Sequence, residues 1–155
     1  YRLDILHKQG ITLTDIQNEI AKLKPLDGAK DFLDWASERF QVAIISDTFY
    51  EFAGPLMVQL GDPFLLCHKL VVENDRVVGY KLRQTDPKRH SVKAFKSLDL
   101  KVIAAGDSFN DVSMLEEADH GIFFQAPENV RAQFPQYPLA EDYAQLQALI
   151  EEAVG

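Results

Sequence analysis

Val102-Ile103-Ala104-Ala105-Gly106-Asp107-Ser108-Phe109-Asn110-Asp111-Val112-Ser113-Met114-Leu115 is an apolar run that breaks at a glycine and resumes with helical spacing. The run over 101–105 has the continuous apolar pattern of a strand buried on both faces. Gly106 lets the chain turn sharply after it, which puts Asp107 at the strand's carboxyl end. Asp111 follows near the first turn of a helix expected over 110–118, so the two carboxylates can face one cation. Asn110 lies beside them as a neutral hydrogen-bonding group. Oxygen ligands without sulfur or imidazole suit Mg²⁺, which keeps several waters and needs only one or two protein carboxylates plus phosphate oxygens. A Gly-Asp turn followed by an Asn or Asp helix cap accounts for the same letters without a metal. On this motif alone both readings stand.

Outward from that stretch, two more buried strands are expected over 42–46 (VAIIS) and 121–124, and two strands over 64–72 and 77–82 joined by the turn Glu73-Asn74-Asp75. Helices are expected over 1–8, 12–24, 31–40, 51–60, 88–98, 127–134 and 142–153. The second can be capped by Thr12 or Thr14 and carries Ile16, Ile20 and Leu23 on one face; the third carries Phe32, Leu33, Trp35 and Ala36. Apolar strands alternating with helices imply an α/β fold, a Rossmann-like parallel sheet flanked by helices on both faces. Ligands in such sheets sit at the carboxyl ends of the strands.

Composition narrows the function classes. The chain has 155 residues, 46% hydrophobic and 26% charged, which suits one domain with a substantial core. No apolar run approaches the roughly eighteen residues needed to span a bilayer, and no signal peptide is visible. A formal net charge of −8 with scattered Lys and Arg disfavours nucleic acid and membrane surfaces. The single cysteine, Cys67, excludes an internal disulfide and fits a reducing compartment, so cytoplasm is expected. His7, His68, His90 and His120 lack zinc-site spacing. A homodimer is compatible with the sequence, which does not specify an oligomeric state.

Two further features carry chemistry. Ile44-Ile45-Ser46-Asp47-Thr48 puts a hydroxyl-bearing loop at the carboxyl end of another strand, where Ser46 and nearby backbone N–H groups can donate to a phosphoryl group. A loop-capping hydroxyl is the structural alternative. In Asp86-Pro87-Lys88-Arg89, a lysine opens a helix, where the dipole favours anions. A phosphate bound beside Lys88 explains the placement; a solvated lysine is the alternative, and Arg89 is the rival one residue on.

Ser46 after an apolar strand, Lys88, and Gly106-Asp107 with Asn110-Asp111 together resemble motifs two, three and four of the haloacid dehalogenase superfamily. The likeness runs along nearly the whole chain to the phosphoserine phosphatase branch. More narrowly, ISDTFYEF (45–52), LLCHKL (65–70), DPKR (86–89), IAAGDSFND (103–111) and APENV (126–130) resemble the bacterial group combining phosphoserine phosphatase with phosphoserine:homoserine phosphotransferase activity. Asp47-Thr48 stands where general phosphoserine phosphatases carry a glycine pair, a departure that points to that bifunctional group.

The resemblance implies Mg²⁺-dependent phosphoryl transfer from phosphoserine through an aspartyl-phosphate, in serine biosynthesis, with water or homoserine as acceptor. In that scheme Ser46 and Lys88 hold phosphoryl oxygens. Asp107 coordinates Mg²⁺, Asp111 supports it through water, Asn110 contacts substrate or phosphate, and Asp47 and Thr48 line the substrate site. Arg2 falls about where the family places an arginine for the substrate carboxylate, a solvated helix face being the alternative. Residues 1–24 resemble the end of a helical cap and 25–155 the α/β core without its first strand. The family's paired aspartates, nucleophile and general acid/base, lie on that strand in a DxD motif, and no DxD pair occurs here. The chain reads as an N-terminally truncated piece, expected to be inactive and to fold poorly alone, because a missing central strand leaves backbone groups unpaired. Two other readings remain at this stage: a non-catalytic phosphoserine- or anion-binding module, and a phosphatase of the same superfamily for another small phosphate ester.

Overall fold

The structure is a computed structural model that describes residues 10–155. Arg2 and the helix expected over 1–8 lie outside the described residues. The described residues form two compact units, the second starting at Asp86.

In the first unit, helix α1 (Leu13–Ile20) starts at Thr12, which was one of the two expected caps. The Asp15 N–H donates to Thr12 Oγ1 and the Thr12 N–H donates to Asp15 Oδ2, a reciprocal capping box. Thr14 instead donates its N–H to Asp75 Oδ1. The helix stops at Ile20, short of residue 24, so Leu23 leaves the apolar face and is 57% exposed; Leu13 is the buried residue. Helix α2 (Ala29–Ser37) begins earlier than expected, from Gly28 at φ 82.

Strand β1 (Ile44–Phe49) runs past the expected end at Ser46 and is half-buried rather than buried on both faces. Helix α3 (Tyr50–Gln59) follows, with Pro55 inside it. Proline has no N–H for the carbonyl four residues back. That carbonyl, of Glu51, accepts from Gln17 Nε2 at 2.8 Å, so the helix tolerates the break. Strands β2 (Leu65–Glu73) and β3 (Arg76–Lys81) form the expected hairpin. Asn74 and Asp75 take φ 48 and φ 61 at its turn, the left-handed pair that matches strand twist in a tight hairpin. The sheet order is β1-β2-β3, with β1 parallel to β2 and β3 antiparallel. Its core gathers Leu13, Leu70 and Val77 against Phe49 and Phe52.

The second unit comprises α4 (Pro87–Ser97), β4 (Ile103–Gly106), a single 3₁₀ turn (Phe109–Asp111), α5 (Val112–Glu117), β5 (His120–Phe124), α6 (Glu128–Arg131), β6 (Leu139–Ala140) and α7 (Tyr143–Val154). Its sheet, β4-β5-β6, is parallel throughout. Central β5 is the most buried, with Phe123 at 0% and Ile122 at 2% exposure, and Leu115 of α5 is buried to 1% exposure. Each such side chain contributes about 1.5–3 kcal/mol on burial. Strand β6 was not expected: two residues are too short for any periodicity to show. Helix α6 is shorter than 127–134 because its segment closes in turns after Arg131.

The α/β pattern with parallel strands and flanking helices is as expected. Among the described residues, β1 pairs only with β2 and β4 only with β5. No helix among them is long and apolar enough to cross a membrane.

Candidate active site

The second unit holds a polar cluster around Asp111. Strand β4 ends at Gly106, and Asp111 folds back against it: a β-carbon at position 106 would lie 2.4 Å from Asp111 Cβ and 2.9 Å from Asp111 Oδ2. Glycine is needed there for close approach, not only for the turn. Asp111 is 5% exposed. Its Oδ2 accepts from the Asp107 N–H at 2.9 Å, the Ser108 N–H at 3.0 Å and the Ser108 hydroxyl at 2.9 Å. Its Oδ1 accepts from Lys88 Nζ at 2.7 Å.

The Asp111 carboxylate is thus turned into its own loop and saturated by protein donors. Asp107 and Asn110 are exposed at the rim of the same loop. The two expected cation carboxylates therefore differ in kind, one a buried scaffold and the other accessible. The loop-capping reading is realised: Ser108 and Asp111 cap the 3₁₀ turn reciprocally, and those bonds also hold the Asp111 carboxylate.

Lys88, at the second helical position of α4, is 9% exposed. A buried ammonium at a helix N-terminus works against the helix dipole, and the Asp111 carboxylate offsets it. Arg89, the rival one residue on, is exposed and donates to Glu117 Oε2 at 2.9 Å. The helical turn therefore separates the two basic residues, Lys88 inward and Arg89 outward.

The two carboxylates titrate in opposite directions. Burial raises the Asp107 carboxyl, and the hydrogen bonding and charge of neighbouring Asp111 raise it further. Burial also works to raise Asp111, but the Lys88 ammonium, the Asp107 N–H and the Ser108 hydroxyl outweigh it and hold Asp111 below the usual carboxylate range. The Asp107 carboxylate is an exposed oxygen donor whose ionised form a divalent cation would stabilise. Among the described residues no group of three or more His, Cys, Asp or Glu side chains converges as a closed metal site.

In the first unit, Ser46 lies within β1 rather than in a loop after it, at the point where the β1–β2 register becomes irregular. Its Oγ accepts from the Thr48 N–H at 3.3 Å. Asp47 is exposed, and His68 Nε2 lies 3.9 Å from its Oδ1. His68 is buried in β2, and its Nδ1 accepts from the Arg83 N–H at 3.0 Å, which assigns the ring hydrogen to Nε2, toward Asp47. Arg83 also donates to the Tyr50 hydroxyl at 2.7 Å and to the Cys67 carbonyl. Burial pushes the Cys67 thiol up to about 11, so it stays protonated and inert near neutral pH.

Sequence reasoning missed His68, Arg83, Asp86, Ser108 and Ser113. A histidine within a mainly apolar strand, next to Lys69, was the one available signal for His68. The others carry no periodic or spacing signature. Arg2 lies outside the described residues.

The family description "haloacid dehalogenase-like hydrolase" matches residues 3–119. The chain is 64% identical over 146 residues to the phosphoserine phosphatase ThrH of Pseudomonas aeruginosa, covering 94% of this chain and 71% of that protein. It is 61% identical over 146 residues to a phosphoserine phosphatase of Pseudomonas syringae pv. tomato, covering 94% of this chain and 62% of that one. Among solved structures, the phosphoserine phosphatase from T. onnurineus in complex with NDSB-201 superposes with a TM-score of 0.70 at 27% identity, over 90% of this chain and 66% of that one.

Proposed function

Because the chain belongs to the haloacid dehalogenase-like hydrolase family, we propose that the protein carrying it is a phosphoserine phosphatase that releases serine and phosphate. The observation that carries this reading is Lys88, buried at a helix start and held by Asp111 next to the exposed Asp107. A cation pinned at a helix N-terminus beside an open carboxylate suits a phosphoryl group, whose oxygens are drawn both to the ammonium and to the helix amides. The 64% and 61% identity to two phosphoserine phosphatases supports phosphoserine as the ester.

In this reading Lys88 neutralises phosphoryl oxygens as charge builds on them. Asp107, with Asp111 behind it, would hold Mg²⁺, which when bound neutralises the phosphate. Asn110, exposed beside Asp107, hydrogen-bonds substrate or phosphate. Ser46, Asp47 and Thr48, in the first unit, take their phosphate and substrate roles from the family resemblance, as does Arg2 for the substrate carboxylate. Residues 1–24 belong to a helical cap and 25–155 to the core. Homoserine is a second phosphoryl acceptor, and the enzyme works in the cytoplasm.

The test uses the full-length protein. With Mg²⁺ it should release phosphate from phosphoserine far faster than from a panel of other small phosphate esters, and adding homoserine should divert part of the phosphoryl flux to phosphohomoserine. Loss of phosphoserine preference would refute the substrate assignment. Absence of phosphohomoserine would refute the second acceptor alone.

A further inference from the structure

Asp86 stands before Pro87 with φ 45 and ψ 57. The left-handed region is costly for a residue with a side chain, and a following proline ordinarily pushes its predecessor to extended backbone. Asp86 is also the residue type best suited to cap the helix it precedes, yet its side chain makes no capping bond. Its Oδ1 instead accepts from the Ser113 hydroxyl at 2.8 Å, across to α5.

Two residues along from Asp86 is Lys88, and two residues back from Ser113 is Asp111. The contacts Asp86–Ser113 at 2.8 Å and Lys88–Asp111 at 2.7 Å therefore form successive rungs between the starts of α4 and α5. The conformation of Asp86 sets the direction in which α4 departs, and that direction sends Lys88 inward. A lysine stem is long and flexible, so a fixed ammonium needs its helix fixed.

We infer that Asp86 and Ser113 are a positioning pair for Lys88, and that Ser113 affects phosphoryl transfer only through that lysine. Without the Ser113 hydroxyl, the Asp86 carboxylate is free to turn back onto the first amides of α4. The residue then relaxes toward extended backbone, the helix start rotates, and the ammonium leaves its place beside Asp111.

The turnover test rests on the phosphoserine phosphatase reading. In the full-length enzyme, Ser113→Ala should lower kcat about 10-fold with KM nearly unchanged, short of the ~10²-fold that an ångström of misplacement costs. Ser113→Thr, which restores a hydroxyl, should recover most of the loss. In a Lys88→Met background, Ser113→Ala should lower the residual rate no further, because the two changes act through one group. Asp86→Ala, which removes the acceptor for Ser113, should lower kcat to a similar extent, and it serves if Ser113→Ala folds poorly. A Ser113→Ala enzyme with unchanged kcat, or equal losses with and without Lys88, would overturn the inference. A wild-type enzyme inactive on phosphoserine would overturn the functional reading instead. The pair is then tested by calorimetry with inorganic phosphate, where Ser113→Ala must weaken binding and Ser113→Thr restore it.

Discussion

Gly106 and Asp111 occupy space that a single β-carbon would close: a Cβ on residue 106 would sit 2.4 Å from Asp111 Cβ and 2.7 Å from its Cγ. Neither contact ends on a flexible tip, since Asp111 is held by four hydrogen bonds. Gly106→Ala must therefore displace the carboxylate that anchors Lys88. Overpacking of this kind costs about 1–3 kcal/mol. In the full-length enzyme we expect a lower Tm in thermal melts together with at least a ~10-fold loss of kcat, since small misplacements are costly at a reacting centre. Unchanged kinetics would show that the approach is incidental.

Lys88→Met removes one partner of a buried ion pair, and such changes cost about 3–5 kcal/mol because a charge is left behind. Asp111 keeps three other donors, so the lower end of that range is expected in denaturant titrations. Turnover should fall by ~10² or more, the scale of losing one fixed donor to developing charge. Lys88→Arg should not rescue it, since a planar fork does not replace a compact ammonium in a buried slot.

Asp107→Asn separates stability from activity. The Asp107 carboxyl is raised, so its ionised form destabilises the fold at neutral pH. The neutral amide should raise the Tm of metal-free protein. Added Mg²⁺ should raise the Tm of wild type by mass action and leave Asp107→Asn unmoved, while phosphoserine turnover falls by orders of magnitude. A Mg²⁺ shift of equal size in both proteins would place the cation elsewhere.

Acid should unfold the second unit through Asp111, Glu117 and Asp119. Asp111 is lowered against its own burial by Lys88, the Asp107 N–H and Ser108; Glu117 is lowered by Arg89 and Asp119 by the Val102 N–H and Lys96. A depressed folded value means stability that is full above the ordinary carboxylate range and is lost as pH falls through the folded value. Asp107 has the opposite sign and partly offsets that loss as it takes up its proton. Stability measured against pH should therefore fall below about pH 4–5, and more steeply in Asp107→Asn than in wild type.

Phe123 is fully buried on central β5 and meets the Tyr137 ring edge-on at 5.4 Å between centroids. Phe123→Ala should cost about 3–5 kcal/mol. Where the variant remains folded, its kcat well below the melting transition should match wild type, which distinguishes a packing position from Gly106.

The kinds of element, their order and the parallel α/β class were legible because strong apolar runs and helix periodicity are local and survive in the linear sequence. The GDSFND loop and Lys88 were legible for a related reason: they sit where a strand ends and where a helix begins, and those positions have local signatures, whereas Ser46, expected at a strand end, lies within β1. The orientation of the groups was not legible. Only the tertiary structure decides that Asp111 is a buried scaffold while Asp107 stays open, because the hydrogen bonds from Asp107, Ser108 and Lys88 converge on one carboxylate and come from separate elements. Only it turns Lys88 inward and Arg89 outward, through the left-handed Asp86 and its bond to Ser113. Those choices depend on contacts between residues far apart in the chain, whose pairing no spacing rule encodes. The segment VIAAGDSFNDVSML by itself marked a strand end followed by polar groups; the folded chain turned the Asp111 oxygens inward and left Asp107 exposed.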